Sequence, residues 1–154
     1  MSTMTEQATQ VYAVFIRATP EQVWDAITKP EFTTKYFHGT KIESSFEPGT
    51  PYLSVAGDRE ETVVDGEILE SDPPRTLRHT WRALYDPETA EEPHSRVTWE
   101  IEAQEGGVTK LTVTHDQLEA APKTAEGVAG GWMYVLSGLK TLLETGKPLS
   151  TESM

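Results

Sequence analysis

The sequence predicts an α+β fold in which a curved antiparallel β-sheet wraps around one long C-terminal helix. Three observations lead to this prediction. Residues 131–146 form the one long amphipathic helical stretch, and it comes last. Residues 38–116 consist of short β-rich runs separated by tight turns, and two short helical segments follow the first strand. A sheet that grips a helix in this way usually leaves a cavity between the two, so we expect a ligand cavity there.

Length and composition indicate one acidic domain of 154 residues with a net charge of −12. This charge argues against nucleic acid and anionic membrane surfaces as partners, because both require patches of Lys and Arg. The chain has no cysteine, which excludes disulfides, thiolate metal sites and cysteine nucleophiles. It has no apolar run as long as a membrane span and no signal peptide. We expect a cytoplasmic protein with a disordered leader at 1–10, one domain at 11–146 and a flexible tail at 147–154.

The first strand and the two short helices are predicted over residues 11–37. Residues 11–17 are β-branched and aromatic, which favours a strand. Thr19 is a suitable N-cap, with Pro20 as the first helical residue and Gln22 as the reciprocal partner in a capping box. Pro30 starts a second short helix, which carries Tyr36 and Phe37.

The middle of the chain contains six further predicted strands. They cover residues 41–46, 52–56, 60–69, 76–84, 96–104 and 108–116. Gly57-Asp58 and Gly106-Gly107 are suited to two-residue hairpin turns. Residues 86–93 hold four acidic residues and two prolines, so we interpret them as a solvated loop, and the cluster Glu88, Glu91 and Glu92 as surface charge.

The last helix has apolar residues at one helical face, at positions 128, 132, 135, 136, 139, 142 and 143. Gly146 is a natural C-terminal cap and Pro148 a stop signal. Gly130 and Gly131 lie near the helix start, where each costs about 1 kcal/mol relative to Ala inside a helix. Either the helix begins there, or the backbone approaches another group closely.

Alternation along the strands defines an inward face, because successive strand residues point to opposite sides of a sheet. Its members are Leu77, His79, Trp81, Val97, Trp99, Ile101, Leu111, Val113 and His115. The two histidines are interpreted either as core residues with a backbone or hydroxyl partner, or as polar groups in a pocket. The tryptophans are interpreted either as core packing or as pocket walls.

Motifs for named chemistry are absent from the sequence. His38, His79, His94 and His115 lack the paired spacing of metal ligands, so we expect no metal site. There is no phosphate-binding or dinucleotide-binding glycine motif and no nucleophile elbow, so we expect no cofactor and assign no catalytic residue. A His115–Asp116 dyad is unfavourable because adjacent strand residues face opposite sides.

Several segments, in order, resemble a known family. Residues 18–31 (ATPEQVWDAITKPE), 66–77 (GEILESDPPRTL) and 107–115 (GVTKLTVTH) carry the resemblance, together with Thr80-Trp81 and Gly131-Trp132 followed by Leu136, Leu139 and Leu143. They are similar to the SRPBCC superfamily, also called START-like or birch-pollen-allergen-like. Within it, the likeness is to the family of the heat-shock-protein-90 ATPase activator homologue, C-terminal domain. The resemblance covers nearly the whole chain after residue 10.

The resemblance implies the helix-grip fold and an interior cavity for lipid-, sterol- or polyketide-like molecules. A minority of superfamily members are cyclases, dehydratases or hydrolases, and no shared motif transfers a catalytic residue. About ten residues precede the first predicted strand, so we expect no separate N-terminal domain like that of the activator, which counts against a co-chaperone role.

Three functions follow as hypotheses: binding of an apolar or amphipathic small molecule, an aromatase/cyclase-type enzyme in the same cavity, and an interaction module for a chaperone or regulator. The enzyme would use His79 or His115 as general acid/base, with a near-neutral pKa. The oligomeric state is left open. The predicted pocket residues are Trp24, Tyr36, Phe37, His79, Trp81, Trp99, Val113, His115, Trp132 and Leu136.

Overall fold

A computed structural model describes residues 8–56 and 60–149 of the chain. The strands are β1 (Gln10–Ile16), β2 (Thr40–Glu43), β3 (Pro51–Ala56), β4 (Glu61–Asp72), β5 (Thr76–Ala83), β6 (Ser95–Ala103) and β7 (Thr109–Asp116). The helices are α1 (Pro20–Thr28), α2 (Pro30–Tyr36), α3 (Pro87–Ala90), α4 (Pro122–Val128) and α5 (Gly131–Thr145).

The seven strands form one antiparallel sheet in the order β1-β7-β6-β5-β4-β3-β2. The sheet curves around α5, and the short helices α1 and α2 close one end of the sheet. The core lies between the inner face of the sheet and the apolar face of α5. The predicted α+β fold, with a curved sheet around a long C-terminal helix, is confirmed.

The first short helix begins as its sequence predicts. Thr19 Oγ1 accepts a hydrogen bond from the Gln22 N–H at 3.1 Å, and Gln22 Oε1 accepts one from the Thr19 N–H at 2.8 Å. This reciprocal pair satisfies two donors that the first helical turn leaves unpaired. Tyr36 then fixes α2 against α1, because its hydroxyl donates to the Ala26 carbonyl at 2.7 Å.

The predicted inward face of the sheet is confirmed, since all nine of its residues are buried. The strand register places Leu77 opposite Trp99 and Trp99 opposite Val113. In the next row, Val97 lies between His79 and His115. Rows of this kind put the two histidines on one face of the sheet, two strands apart.

The sequence predicted one helical face that included residue 128, whereas the C-terminal region contains two separate helices. Val128 ends α4, and Gly130 separates it from α5 with φ +83°. A Cβ at Gly130 or Gly131 would meet nothing within 4 Å, so no close approach explains the glycines. Gly130 is required for its left-handed backbone, and the helix begins at Gly131. The close approach occurs at Gly138 instead, where an added Cβ would lie 3.2 Å from Tyr36 Cβ.

Two predictions in the loops are wrong. The strand predicted to reach Phe46 ends at Glu43, and Phe46 has φ +60°, a left-handed conformation that a strand cannot contain. The loop at 86–93 is not merely solvated, because it forms the single turn of α3, buries Thr89 and gives Glu92 three hydrogen bonds. The hairpin predicted at Gly57-Asp58 lies outside the described residues.

Candidate functional site

A cavity of about 800 Å³ lies between the inner face of β3–β5 and the junction of α4 with α5. Most of its wall is apolar or aromatic: Phe37, Ala56, Val63, Val64, Trp81, Val128, Trp132 and Val135. The polar wall residues are Thr34, His38, Thr40, Ser54 and Tyr85. This volume and this mixture of many apolar and few polar groups are typical of small-molecule sites.

Three aromatic rings form the inner wall. Trp81 and Trp132 lie with their ring centroids 5.7 Å apart. Phe37 lies 6.4 Å from Trp81 in a stacked arrangement and 5.8 Å from Trp132 edge to face. The three come from β5, from the first turn of α5 and from the end of α2. Aromatic pairs at these distances stabilise one another by about 0.5–1.5 kcal/mol beyond their buried area.

Trp132 is held in place by His115. Its indole N–H donates to His115 Nδ1 at 3.0 Å, and His115 Nε2 lies 2.7 Å from Ser95 Oγ. Ser95 Oγ donates in turn to the Trp81 carbonyl at 3.2 Å. His115 Nδ1 accepts the Trp132 N–H, and the Ser95 hydroxyl proton is donated to the Trp81 carbonyl. The His115 imidazole is therefore neutral and carries its proton on Nε2. Burial, and secondarily the neighbouring His79, lower the pKa of His115 to about 3.

His79, two strands away on the same face of the sheet, is hydrogen-bonded in a similar way. Its Nε2 accepts the Trp99 indole N–H at 3.0 Å, so Nδ1 carries the proton and donates to the Thr80 carbonyl at 2.9 Å. The Tyr52 ring stacks on it with centroids 3.7 Å apart. Burial lowers the pKa of His79 to about 4. Both histidines therefore hold tryptophans in position as neutral bases.

The ten residues predicted for the pocket divide into two groups. Phe37, Trp81 and Trp132 line the cavity. The other seven are not at its wall: Trp24, Tyr36, His79, Trp99, Val113, His115 and Leu136. Six of these seven are buried, and Trp24 packs half-buried against the core. His115 holds the wall residue Trp132, and His79 holds Trp99, which packs against Trp132 with ring centroids 5.5 Å apart.

Sequence reasoning missed several wall residues. Tyr52, Ser54 and Ala56 alternate along β3, and this period-two signal could have placed Ser54 and Ala56 on the inner face. No local signal exists for His38, which follows α2 with φ +56° and stacks on Tyr134 at 6.3 Å. Partial burial lowers the pKa of His38 from its ordinary value.

Two buried polar atoms have no hydrogen-bond partner among the described residues, the Tyr52 hydroxyl and the Trp81 indole N–H. Such atoms are rare in native proteins, because each costs about 1–3 kcal/mol when left unpaired. Trp81 lines the cavity, whereas Tyr52 lies behind its wall. Burial raises the pKa of Tyr52, so its hydroxyl stays protonated.

The carboxylates near the site are engaged with cations outside the cavity. Asp65 pairs with Arg82 at 2.8 Å, and its other oxygen lies 3.1 Å from His94 Nε2. Asp116 pairs with Arg96 at 2.6 Å rather than with His115, so the two neighbours do not form a dyad. Among the described parts of the chain, no three His, Asp or Glu side chains converge where a metal ion could bind.

Glu92 anchors one edge of the cavity. Its carboxylate accepts hydrogen bonds from the backbone N–H groups of Lys123 and Thr124, at 2.9 and 2.8 Å, and from the Thr124 hydroxyl at 2.7 Å. Burial raises the pKa of Glu92, but these donors outweigh burial and the net pKa is lowered. The contact caps α4, whose last turn supplies Gly127 and Val128 to the wall.

Within the described ranges, no helix combines the length and apolarity needed to span a membrane. Solved structures of similar shape include the protein MLL2253 of Mesorhizobium loti, 25% identical over 88% of this chain and 96% of that one, with a TM-score of 0.71. DynU16, a protein of the dynemicin biosynthetic locus, is 23% identical with a TM-score of 0.74. The alignment covers 92% of this chain and 49% of DynU16, so the chain spans about half the length of that protein.

PFC0360w, an HSP90 activator from Plasmodium falciparum, is 22% identical over 92% of this chain and 98% of its own, with a TM-score of 0.71. At such identities, DynU16 and PFC0360w establish a shared fold alone. No curated protein matches the chain. The model of the family described as "Activator of Hsp90 ATPase homolog 1-like protein" matches residues 17–144, and the chain therefore belongs to this family.

Proposed function

We propose that the protein binds an apolar or amphipathic small molecule in the cavity between its sheet and α5. The observation that carries the proposal is the cavity of about 800 Å³ with its wall of Phe37, Trp81 and Trp132. Cavities of this size, lined mainly by apolar and aromatic side chains with a few polar groups, are typical of small-molecule sites.

Apolar burial supplies the driving force. At about 25 cal/mol per Å², a ligand that buries roughly 200 Å² of apolar surface gains about 5 kcal/mol before the cost of association. Phe37, Trp81 and Trp132 are already buried against one another, which limits the side-chain ordering that binding requires. The expected ligands are therefore ring systems or lipid-like chains of modest size.

The aromatase/cyclase alternative has less support. In the form predicted from the sequence, it requires His79 or His115 to face the substrate with a near-neutral pKa. His79 and His115 lie behind the wall, both of their ring nitrogens are hydrogen-bonded, and burial holds their pKa values at about 4 and about 3. In a binding protein, His79 and His115 need only hold Trp99 and Trp132 in place, and no proton transfer is required of them.

A chaperone or regulator partner is a second candidate. The family description supports it, as do the exposed apolar side chains Val11 and Phe15 on the edge strand β1. Its test is the ATPase rate of an Hsp90-type chaperone titrated with this protein. A rate that does not change at saturating protein would remove this candidate.

The proposed binding is tested by native mass spectrometry of the purified protein, followed by thermal unfolding with a panel of lipids, sterols and polyphenols. A bound molecule should raise the melting temperature with its concentration. Ala56→Phe places a ring in the cavity wall and should abolish the shift. Ala13→Phe makes the same change at an exposed position of β1 and should retain it. A panel that leaves the wild-type melting temperature unchanged would refute the proposal.

A further inference from the structure

The interior of the cavity carries a hydroxyl group, that of Ser54 on β3, which no neighbouring side chain or backbone group engages. Ser54 lines the cavity and is 3% exposed. Its side chain forms no hydrogen bond with any residue that the structure describes. Its oxygen is not fully enclosed, unlike the Tyr52 hydroxyl and the Trp81 N–H, so it borders open space. Because Ser54 is buried at the cavity wall, that space is the cavity.

Strand alternation gives the direction of the Ser54 side chain. Ser54 and Ala56 both line the cavity, whereas Val55 between them does not. Successive strand residues point to opposite faces, so the Ser54 side chain lies on the inner face of the sheet. Its strand partners are Ile42 on β2 and Val64 on β4. The hydroxyl is therefore presented by a strand that is paired on both sides, which fixes its position better than a loop would.

The other polar side chains of the wall are either hydrogen-bonded within the protein or lie at the mouth of the cavity. The hydroxyls of Thr40 and Thr34 donate to backbone carbonyls at 2.6 and 3.1 Å. His38 and Tyr85 are exposed and so belong to the mouth. Ser54 is therefore the described wall residue that offers a buried hydroxyl proton to an occupant of the cavity.

The sheet is irregular next to this hydroxyl. Ser54 pairs with Val64, but Val55 pairs with Thr62, so Val63 is an extra residue of β4. Regular alternation would turn Val63 and Val64 to opposite faces, yet both line the cavity. Bulges redirect side chains in this way and are over-represented beside functional sites. The bulge thus adds an apolar side chain to the wall near the Ser54 hydroxyl.

The wall also limits the charge of an occupant. Among the described residues that line the cavity, none is Asp, Glu, Lys or Arg. An ion that entered would lose its hydration without gaining a counter-charge, which is unfavourable. The part of a ligand that enters the cavity is therefore expected to be uncharged.

We infer that the Ser54 hydroxyl is the internal polar contact of the ligand, and that the cavity selects an uncharged molecule whose inserted part carries a carbonyl or hydroxyl oxygen. This inference rests on the proposed binding function and specifies its ligand class. The aromatic wall binds the apolar skeleton, and Ser54 distinguishes a ligand with the oxygen from one without it. A ligand that fills the cavity without this oxygen leaves the hydroxyl unpaired, which disfavours its binding.

Three probes with one ring skeleton test the inference: fluorene, 9-fluorenone and fluorene-9-carboxylate. Their dissociation constants are measured by displacement of the fluorescent dye N-phenyl-1-naphthylamine. The quantity of interest is the ratio of fluorene to fluorenone dissociation constants, compared between variants, because the different hydration of the two probes then cancels. The carboxylate should bind more weakly than fluorene; equal or tighter binding would contradict the preference for an uncharged ligand.

Ser54→Ala removes the hydroxyl and adds no bulk. It should lower the preference for fluorenone over fluorene about fivefold, the effect of one net hydrogen bond. Fluorene should bind to it as tightly as to wild type or more tightly, since no unpaired hydroxyl remains. Ser71→Ala makes the same change on β4, at a position that does not line the cavity, and should keep the wild-type ratio. A ratio that is the same in Ser54→Ala and wild type would refute the role of Ser54.

Infrared spectroscopy of bound fluorenone tests the contact in the wild-type protein, whether or not the variant folds. A hydrogen bond lowers the stretching frequency of a ketone carbonyl. Bound fluorenone should therefore absorb at lower frequency in the wild-type protein than in hexane or in Ser54→Ala. A wild-type frequency equal to that in hexane would overturn the inference and leave the proposed binding function standing. If the dye and all three probes fail to bind the wild-type protein, the binding function itself is refuted.

Discussion

The indole N–H of Trp132 donates a 3.0 Å hydrogen bond to Nδ1 of His115, and this contact joins the first turn of α5 to strand β7. Both groups are buried, so each would be costly to leave unpaired. His115, which does not line the cavity, thereby orients the ring of Trp132, which does.

Trp132→Phe should destabilise the protein by about 2–4 kcal/mol, because it removes buried ring volume and leaves His115 Nδ1 without a donor. Urea unfolding monitored by circular dichroism measures the loss. Met133→Ala, at an exposed neighbouring position, should change the free energy of unfolding by about 0.5 kcal/mol or less. Similar losses for the two variants would contradict the role given to the Trp132–His115 bond.

Stability should fall as the pH drops from 6.5 to 5. His79 and His115 have folded pKa values of about 4 and about 3, below the ordinary value of 6.5. In this range the unfolded chain binds protons that the folded chain refuses, so the free energy of unfolding decreases as pH falls. Each histidine should account for about 1.5 kcal/mol between pH 6.5 and pH 5, because the unfolded histidine is only half protonated at pH 6.5.

The histidine contribution is isolated by His115→Gln, which should have a shallower pH dependence than wild type over this range. His94→Gln serves as the control, because His94 pairs with Asp65 outside the core. Parallel pH curves for wild type and His115→Gln would show that His115 does not titrate on unfolding.

Gly66→Ala should cost about 3 kcal/mol or more. A Cβ at Gly66 would overlap the backbone carbonyl oxygen of Thr80 on the adjacent strand, and backbone atoms cannot yield as a flexible side chain can. Gly127→Ala is the matched change in open space within α4, and helix propensity should make it neutral or stabilising by up to about 1 kcal/mol. Thermal and urea unfolding compare the pair; an equally stable Gly66→Ala variant would disprove the clash.

Glu92→Ala should loosen α4. The change removes the acceptor for the Lys123 and Thr124 N–H groups and should cost about 1 kcal/mol, the usual value of a helix N-cap. Hydrogen–deuterium exchange at these two amides should accelerate. Glu91→Ala changes an exposed neighbour and should leave both amides as protected as in wild type. Unchanged exchange in Glu92→Ala would show that α4 is held by other contacts.

Local rules predicted those parts of the fold that depend on neighbours in sequence. The capping box of Thr19 and Gln22 needs only four consecutive residues. The inward face of β5, β6 and β7 follows from strand alternation, which any strand obeys whatever it pairs with. The left-handed residue Phe46 escaped prediction, because nothing in its side chain favours that conformation.

The sequence by itself therefore determined the α+β class, the long C-terminal helix and the list of side chains that turn away from water. Only the tertiary structure decided which of those side chains face a cavity. His79 and Trp99 are as inward as Trp81, yet they are sealed off while Trp81 lines the open space. The reason is that alternation gives a residue its side of the sheet, whereas the distance between sheet and helix at that point depends on how α4 and α5 pack. The chain turns from α4 into α5 at Gly130, which has φ +83° and follows Trp81 by about fifty positions.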